Sequence, residues 1–159
     1  MRIKIIGIGK IKEGYFTAAI GEYVKRMQPY TEIEIIELPE ARLPEKASIA
    51  QIQQTLVKEA QDIQKRIKTD DYTIALDLDG TQLTSEALAA HIDGLMSTGH
   101  SSLTFIIGSS HGLDCELKNK VDERLKLSDM TFPHQLARVI LLEQIYRAFK
   151  INRGEPYHK

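Results

Sequence analysis

Strands alternating with amphipathic helices along the whole chain predict an α/β protein, an open and mostly parallel sheet with helices on both faces. Two further features support this class. The run Leu103-Thr-Phe-Ile-Ile107 is apolar almost throughout, as a strand covered on both faces must be. No linker, repeat or low-complexity segment divides the 159 residues, so one domain spanning 1–159 is expected.

Ile3, Ile5, Ile6 and Ile8 make a first strand, followed by a helix whose apolar side is Tyr15, Phe16, Ala19, Ile20, Tyr23, Val24 and Met27. Pro29 stops that helix. A second strand spans Glu32 to Leu38, and Ala41 to Ala47 reads as a polar loop. From Ser48 to Lys68 the spacing of Ile49, Ile52, Leu56, Ala60, Ile63 and Ile67 predicts a long amphipathic helix. A third strand, Tyr72 to Leu78, is closed by a turn at Asp79-Gly80, and Ser85 caps a helix to about Ser97. After the strand at 103–107 come a short helix near Cys115 to Asn119, a fifth strand Arg124 to Leu127 and a loop, Ser128 to Thr131. Pro133 then opens a final helix reaching about Asn152.

The final helix has more apolar surface than one buried stripe needs: eleven of the sixteen residues from Leu136 to Ile151. A homodimer is expected to cover the surplus, the rival being burial on two sides within one chain.

Net charge is −1, unevenly spread: +4 over 1–30, −7 over 31–99, −1 over 100–133 and +3 over 134–159. Basic ends brought together by the fold would face an anionic partner that the total charge hides. The lone Cys115 fits a reducing compartment, and no apolar run has the length of a membrane span or signal segment. A soluble, cytoplasmic protein with no membrane partner is expected.

Nucleotide-loop fingerprints fail. Gly7-Ile-Gly-Lys10 has Lys12 where the third glycine of a dinucleotide loop belongs, and Gly9-Lys10 is followed by Ile11 where a P-loop needs Ser or Thr. The histidines 91, 100, 111, 134 and 158 lack metal-ligand spacing, so no metal is expected. Asp77-Leu-Asp-Gly-Thr81 at a strand end is similar to the first motif of haloacid-dehalogenase phosphatases, with Asp77 as nucleophile and Asp79 as proton carrier. The later acidic pair which that chemistry needs is represented only by Asp122-Glu123, which precedes a strand instead of ending one.

The distinctive part lies beyond residue 103. Gly108-Ser-Ser-His-Gly112, then Leu127-Ser-Asp-Met-Thr-Phe-Pro-His134, Arg138, Glu143-Gln-Ile-Tyr-Arg147 and Tyr157-His-Lys159 resemble the SPOUT class of knotted methyltransferases, and within it the RlmH family. That family methylates N3 of a pseudouridine in large-subunit ribosomal RNA. The resemblance covers essentially the whole chain, with one departure at Ser109, where many relatives carry a second glycine.

The resemblance implies a C-terminal trefoil knot, an exception to the rule that chains do not thread loops. It implies S-adenosyl-L-methionine (AdoMet) as cosubstrate, held by three loops matching Leu76, Gly108 and the run Leu127, Ser128, Asp129, Met130, Thr131 and Phe132. A glycine at 108 would let main chain approach the cofactor closely. It places Tyr157, His158 and Lys159 on the substrate side, with Arg138 as a phosphate contact. His134, Tyr157 and His158 are the candidates for catalysis, since imidazoles titrate near neutrality and an aromatic face stacks on an unpaired base. The partners so implied are a second copy of the chain and the ribosome. A small chain without a separate RNA-binding domain is expected to recognise an assembled surface. A ribosome-binding protein without chemistry is the non-enzymatic alternative.

Overall fold

The computed structural model describes residues 1–157. Five strands form one parallel sheet in the order β2-β1-β4-β3-β5. They are β1 (Arg2–Ile8), β2 (Glu32–Leu38), β3 (Asp71–Gln82), β4 (Ser102–Ile107) and β5 (Glu123–Lys126). The helices are α1 (Gly14–Met27), α2 (Ile49–Gln64), α3 (Ser85–Ser97), α4 (Cys115–Lys120) and α5 (His134–Asn152). The open α/β class predicted from the alternation is the observed one.

The period-two alternation of the strands divides the core. Ile3, Ile5, Leu103, Phe105, Ile107 and Ile74 pack beneath α1, α3 and α5. Ile6, Ile8, Ala75 and Ile106 face the other way, against Ala60 and Ile63 of α2 and Leu117 of α4. β4 lies in the middle and every residue of it is buried, which is why its sequence is so uniformly apolar.

On the second face Lys4 is buried among aliphatic side chains, its ammonium 2.7 Å from Asp71 and 3.0 Å from the Arg66 carbonyl. Asp71 also accepts from the Ser102 hydroxyl at 2.6 Å and the Lys68 amide at 2.9 Å. This network explains why α2 ends at Gln64 and not at Lys68. The Arg66 carbonyl and Lys68 amide are drawn to Lys4 and Asp71, and the last turn tightens onto Ile63 and Gln64 carbonyls.

Two other boundaries differ from the expected ones. Asp79-Gly80 is not a strand-ending turn, because β3 runs on to Gln82. Leu125 pairs with both Leu76 and Thr81, so residues 77–80 bulge out between two stretches of ladder. Gly80 makes the return possible, since a Cβ there would lie 2.7 Å from the Arg124 carbonyl carbon. Thr84, not Ser85, caps α3 by accepting from the Ala87 amide at 3.1 Å, and the Ser85 hydroxyl instead donates to Gln144 of α5 at 2.7 Å.

α5 packs between α1 and α3, with Ala137, Leu141, Leu142, Ile145, Ala148 and Phe149 buried. Most of its apolar surplus is therefore covered within the chain. Leu136, Val139 and Ile140 remain half-buried, as do Phe16, Ala19, Ile20, Tyr23 and Val24 of the adjoining α1. The packing of α1 on α5 also places the two basic ends of the sequence side by side. Among the described residues, no helix is long and apolar enough to cross a membrane.

Candidate active site

The bulge of β3 and the segments leaving the carboxyl ends of β4 and β5 line a cavity of about 780 Å³. This is the position where parallel α/β sheets receive ligands, and the volume suits a molecule of cofactor size. One wall is Leu76 to Asp79 of β3. The second is the loop from Ile107 to Leu113, and the third runs through Leu127, Ser128, Met130, Thr131 and Phe132 to Pro133, His134 and Ala137 at the start of α5.

The second wall folds on itself. Ser109 and Gly112 form an antiparallel bridge, with the Gly112 amide donating to the Ser109 carbonyl at 2.9 Å. A Cβ on Gly108 would lie 2.7 Å from the Gly112 carbonyl carbon and 3.0 Å from Leu113 Cδ2. Glycine is needed at 108 because the loop's own backbone fills that space. Gly108 itself lines the cavity.

In the third wall the Ser128 hydroxyl accepts from the Met130 amide at 3.0 Å and closes a tight turn. Asp129 points away from the cavity. Its side chain is 84% exposed and paired with Lys126, so it is not among the lining residues expected of this run.

Asp77 and Lys118 are charged residues of the lining, and sequence spacing alone does not connect them. The Asp77 carboxylate stands 3.5 Å from both Lys118 Nζ and Arg124 Nη1. The acidic pair required by the phosphatase reading lies toward the opposite end of the strands. Asp122 accepts from the Thr73 amide and hydroxyl at 2.7 Å, and Glu123 accepts from Tyr72 at 2.6 Å and contacts His91 at 2.7 Å.

His134 opens α5 at the cavity wall, next to Gly9, whose backbone has a positive φ of 87°. One turn on, Arg138 is corrected in role. It is 2% exposed and donates from Nη2 to the Ile8 carbonyl at 2.9 Å and the Gly9 carbonyl at 2.6 Å, while Nη1 meets Glu37 at 3.2 Å. This guanidinium braces the end of β1 inside the chain and presents nothing to a phosphate.

Tyr157 lies outside the cavity lining. Its ring meets Tyr146 edge-on at 4.9 Å, Arg147 stands over it at 4.9 Å, and its hydroxyl donates to Glu143 at 3.2 Å. Burial, reinforced by the Glu143 charge, pushes its phenol up to about 12. His158 and Lys159 lie outside the described residues.

The sheet order, the cavity at the strand ends and its three converging walls define a class. The chain belongs to the SPOUT methyltransferases, and the family model described as "Predicted SPOUT methyltransferase" matches residues 1–158. Among individual relatives, the chain is 52% identical to the ribosomal RNA large subunit methyltransferase H of Ruminiclostridium cellulolyticum. It is 48% identical to the proteins of the same name from Halothermothrix orenii and Acetivibrio thermocellus, and each match covers 100% of both chains.

Proposed function

We propose that this chain transfers a methyl group from AdoMet to N3 of a pseudouridine in large-subunit ribosomal RNA, acting in the cytoplasm on the assembled ribosome. The observation that carries the reading is the three-walled cavity at the strand ends, in a chain matching large-subunit rRNA methyltransferases over its whole length. The family's trefoil knot is part of it, since the three walls are the segments that such a knot gathers.

The cavity fits AdoMet on its own features. Leu76, Ile107, Leu113, Leu127 and Phe132 supply apolar surface, and the loops supply backbone polar groups for an adenine and a ribose. When bound, AdoMet supplies a sulfonium-activated methyl group, so no metal is called for. Among the described residues no cluster of His, Cys, Asp or Glu is placed to hold one. What remains for the protein is alignment and removal of the N3 proton. The reading assigns that proton to His134, which stands at the cavity wall on a helix start. Tyr157, His158 and Lys159 are assigned to the substrate, with Tyr157 acting by stacking and not as a base.

The reading includes a homodimer. Leu136, Val139 and Ile140 of α5 and Phe16, Ala19 and Val24 of α1 are apolar and only half-buried, and in this reading a second copy covers them.

Incubation with labelled AdoMet and ribosomes from a strain lacking the gene, followed by mapping of the labelled nucleotide, tests the activity. Label at one pseudouridine N3 is expected. Ribosome binding without label would favour the non-catalytic alternative, and magnesium-dependent phosphate release abolished by Asp77→Asn would favour the phosphatase.

A further inference from the structure

The loop that Arg138 grips carries two lysines, Lys10 and Lys12, directly after Gly9 at the end of β1. Both are exposed. Among the described residues neither ammonium has an acid within ion-pair distance. Acids do share the neighbourhood, but they are turned to other groups or stand apart. Glu37 accepts from the Ile11 amide at 2.7 Å and meets Arg138, and Glu40 lies 3.3 Å from where a Cβ on Gly9 would be. Lys118 of the cavity lining and Arg124 and Lys126 of β5, by contrast, face Asp77 or Asp129.

The backbone beneath the two lysines is pinned at several points. The Gly9 amide donates to the Leu38 carbonyl at 2.7 Å, and the Lys12 amide to the Gln135 side chain at 3.4 Å. Together with Glu37 on the Ile11 amide and Arg138 on the Ile8 and Gly9 carbonyls, these contacts seat the loop against the first turns of α5. A Cβ on Gly9 would lie 3.8 Å from Nε2 of His134, so the loop adjoins the third wall of the cavity. Cationic side chains on a backbone already held in place engage a polyanion without the entropic cost of ordering the loop.

We propose that Lys10 and Lys12 form a phosphate-binding loop, which holds the RNA backbone beside the nucleotide that enters the cavity. The inference rests on the proposed methyltransferase function for the identity of the polyanion as RNA. An ammonium meets a phosphate as a point charge with rotatable donors, which suits a backbone that is gripped without its sequence being read.

The test is ribosome binding across about 50 to 200 mM salt for the wild type, Lys10→Gln, Lys12→Gln and the double variant. Lys58→Gln, at an exposed position of α2, serves as the control. Each glutamine at 10 or 12 is expected to weaken binding about five- to tenfold at ~0.1 M salt and to lower the logarithmic salt slope by about 1. The double variant should lower the slope by about 2 and keep wild-type AdoMet affinity by calorimetry, and Lys58→Gln should match the wild type throughout. A photoactivatable diazirine side chain in place of Lys12 is expected to cross-link to ribosomal RNA. A double variant with the wild-type slope overturns the proposal. So does a loss of AdoMet affinity as large as the loss of ribosome affinity, which would put the lysines on the AdoMet carboxylate. Cross-linking to ribosomal protein alone, or an equal drop in slope for Lys58→Gln, overturns it as well. If the wild type binds with the expected slope and the variants fall as described while no methyl group is transferred, the docking loop stands and the failure belongs to the methyltransferase reading.

Discussion

The Arg138 guanidinium ends 2.6 Å from the Gly9 carbonyl oxygen, having passed through the space that a side chain on Gly7 would occupy. A Cβ on Gly7 would lie 2.6 Å from Arg138 Cζ. An arginine of α5 therefore fixes where β1 ends, and the glycine on β1 is the condition for it. Through this contact the loop after β1 is held near His134, which shares a helix turn with Arg138.

Arg138→Ala is expected to destabilise the chain by about 2–4 kcal/mol, since two buried carbonyls and Glu37 lose a charged donor. Lysine restores the charge but not the fork of donors, and recovers only part of the loss. Denaturant unfolding measures both. The salt dependence of ribosome binding separates this brace from a phosphate contact. A phosphate contact would lower the logarithmic salt slope by about 1, whereas a brace leaves the slope unchanged.

Lys4 and Asp71 predict an acid-sensitive core. Burial alone would raise the Asp71 carboxyl, but Lys4, the Lys68 amide and the Ser102 hydroxyl together hold it down at about 2, against 3.8 for an ordinary aspartate. A depressed carboxylate contributes stability in full above its unfolded value, and that contribution is lost as pH falls from about 4 through 2. Asp71→Asn should remove this segment of the stability profile. It should also cost about 3–5 kcal/mol at neutral pH by leaving Lys4 buried and uncompensated. Thermal melts across pH 2–7 check both.

Gly108→Ala should weaken AdoMet binding through the loop and not by direct obstruction. The new methyl displaces the Gly112 carbonyl, so the Ser109–Gly112 bridge opens before any ligand arrives. Calorimetry is expected to show at least a tenfold loss, and Gly112 amide exchange should rise in the ligand-free protein. Lost affinity with undisturbed exchange would return the residue to the role of direct ligand contact.

The elements were legible in the sequence wherever periodicity decides. The run at 103–107 reads as a central strand because nothing polar interrupts it, and it is one. Pairing across the chain is less visible. Thr84 and Ser85 are both competent caps, and only Gln144, 59 residues away, decides that Ser85 turns to α5. Arg138 on an otherwise apolar helix signals an anion, and sequence spacing does not say whether that anion is a phosphate or the carbonyls and carboxylate at the end of β1. Gly108 was legible as a close approach, but not which backbone approaches it.

A test of the dimer belongs on the half-buried residues of α5 and not on its buried ones. Leu142 is fully buried in the chain's own core, so a glutamate there unfolds the monomer and reports nothing about a partner. Ile140 and Val139 are half-buried. Ile140→Glu is expected to give a folded monomer by light scattering and circular dichroism. A dimer that survives the change at wild-type affinity places the interface elsewhere.

The tail carries the last prediction. Glu155 is held by the Tyr30 hydroxyl at 2.6 Å and by Lys150, so the chain beyond α5 is anchored before it reaches Tyr157. Tyr157 then packs on Tyr146 and Arg147, and deleting residues 157–159 uncovers part of that aromatic cluster at a cost of about 1–2 kcal/mol. AdoMet binding should persist, because no described part of the tail lines the cavity. Methyl transfer to ribosomes should be lost, because the ring, the imidazole and the cation at 157–159 are the groups suited to a base and its phosphate. Tyr157→Phe separates stacking from hydrogen bonding. It keeps the ring, gives up the hydroxyl's contact with Glu143, and should retain most of the transfer rate. His158→Ala should slow the chemical step, and Lys159→Ala should weaken ribosome binding in a salt-dependent way. A truncated protein that methylates ribosomes at the full-length rate would reduce the tail to a packing element on α5.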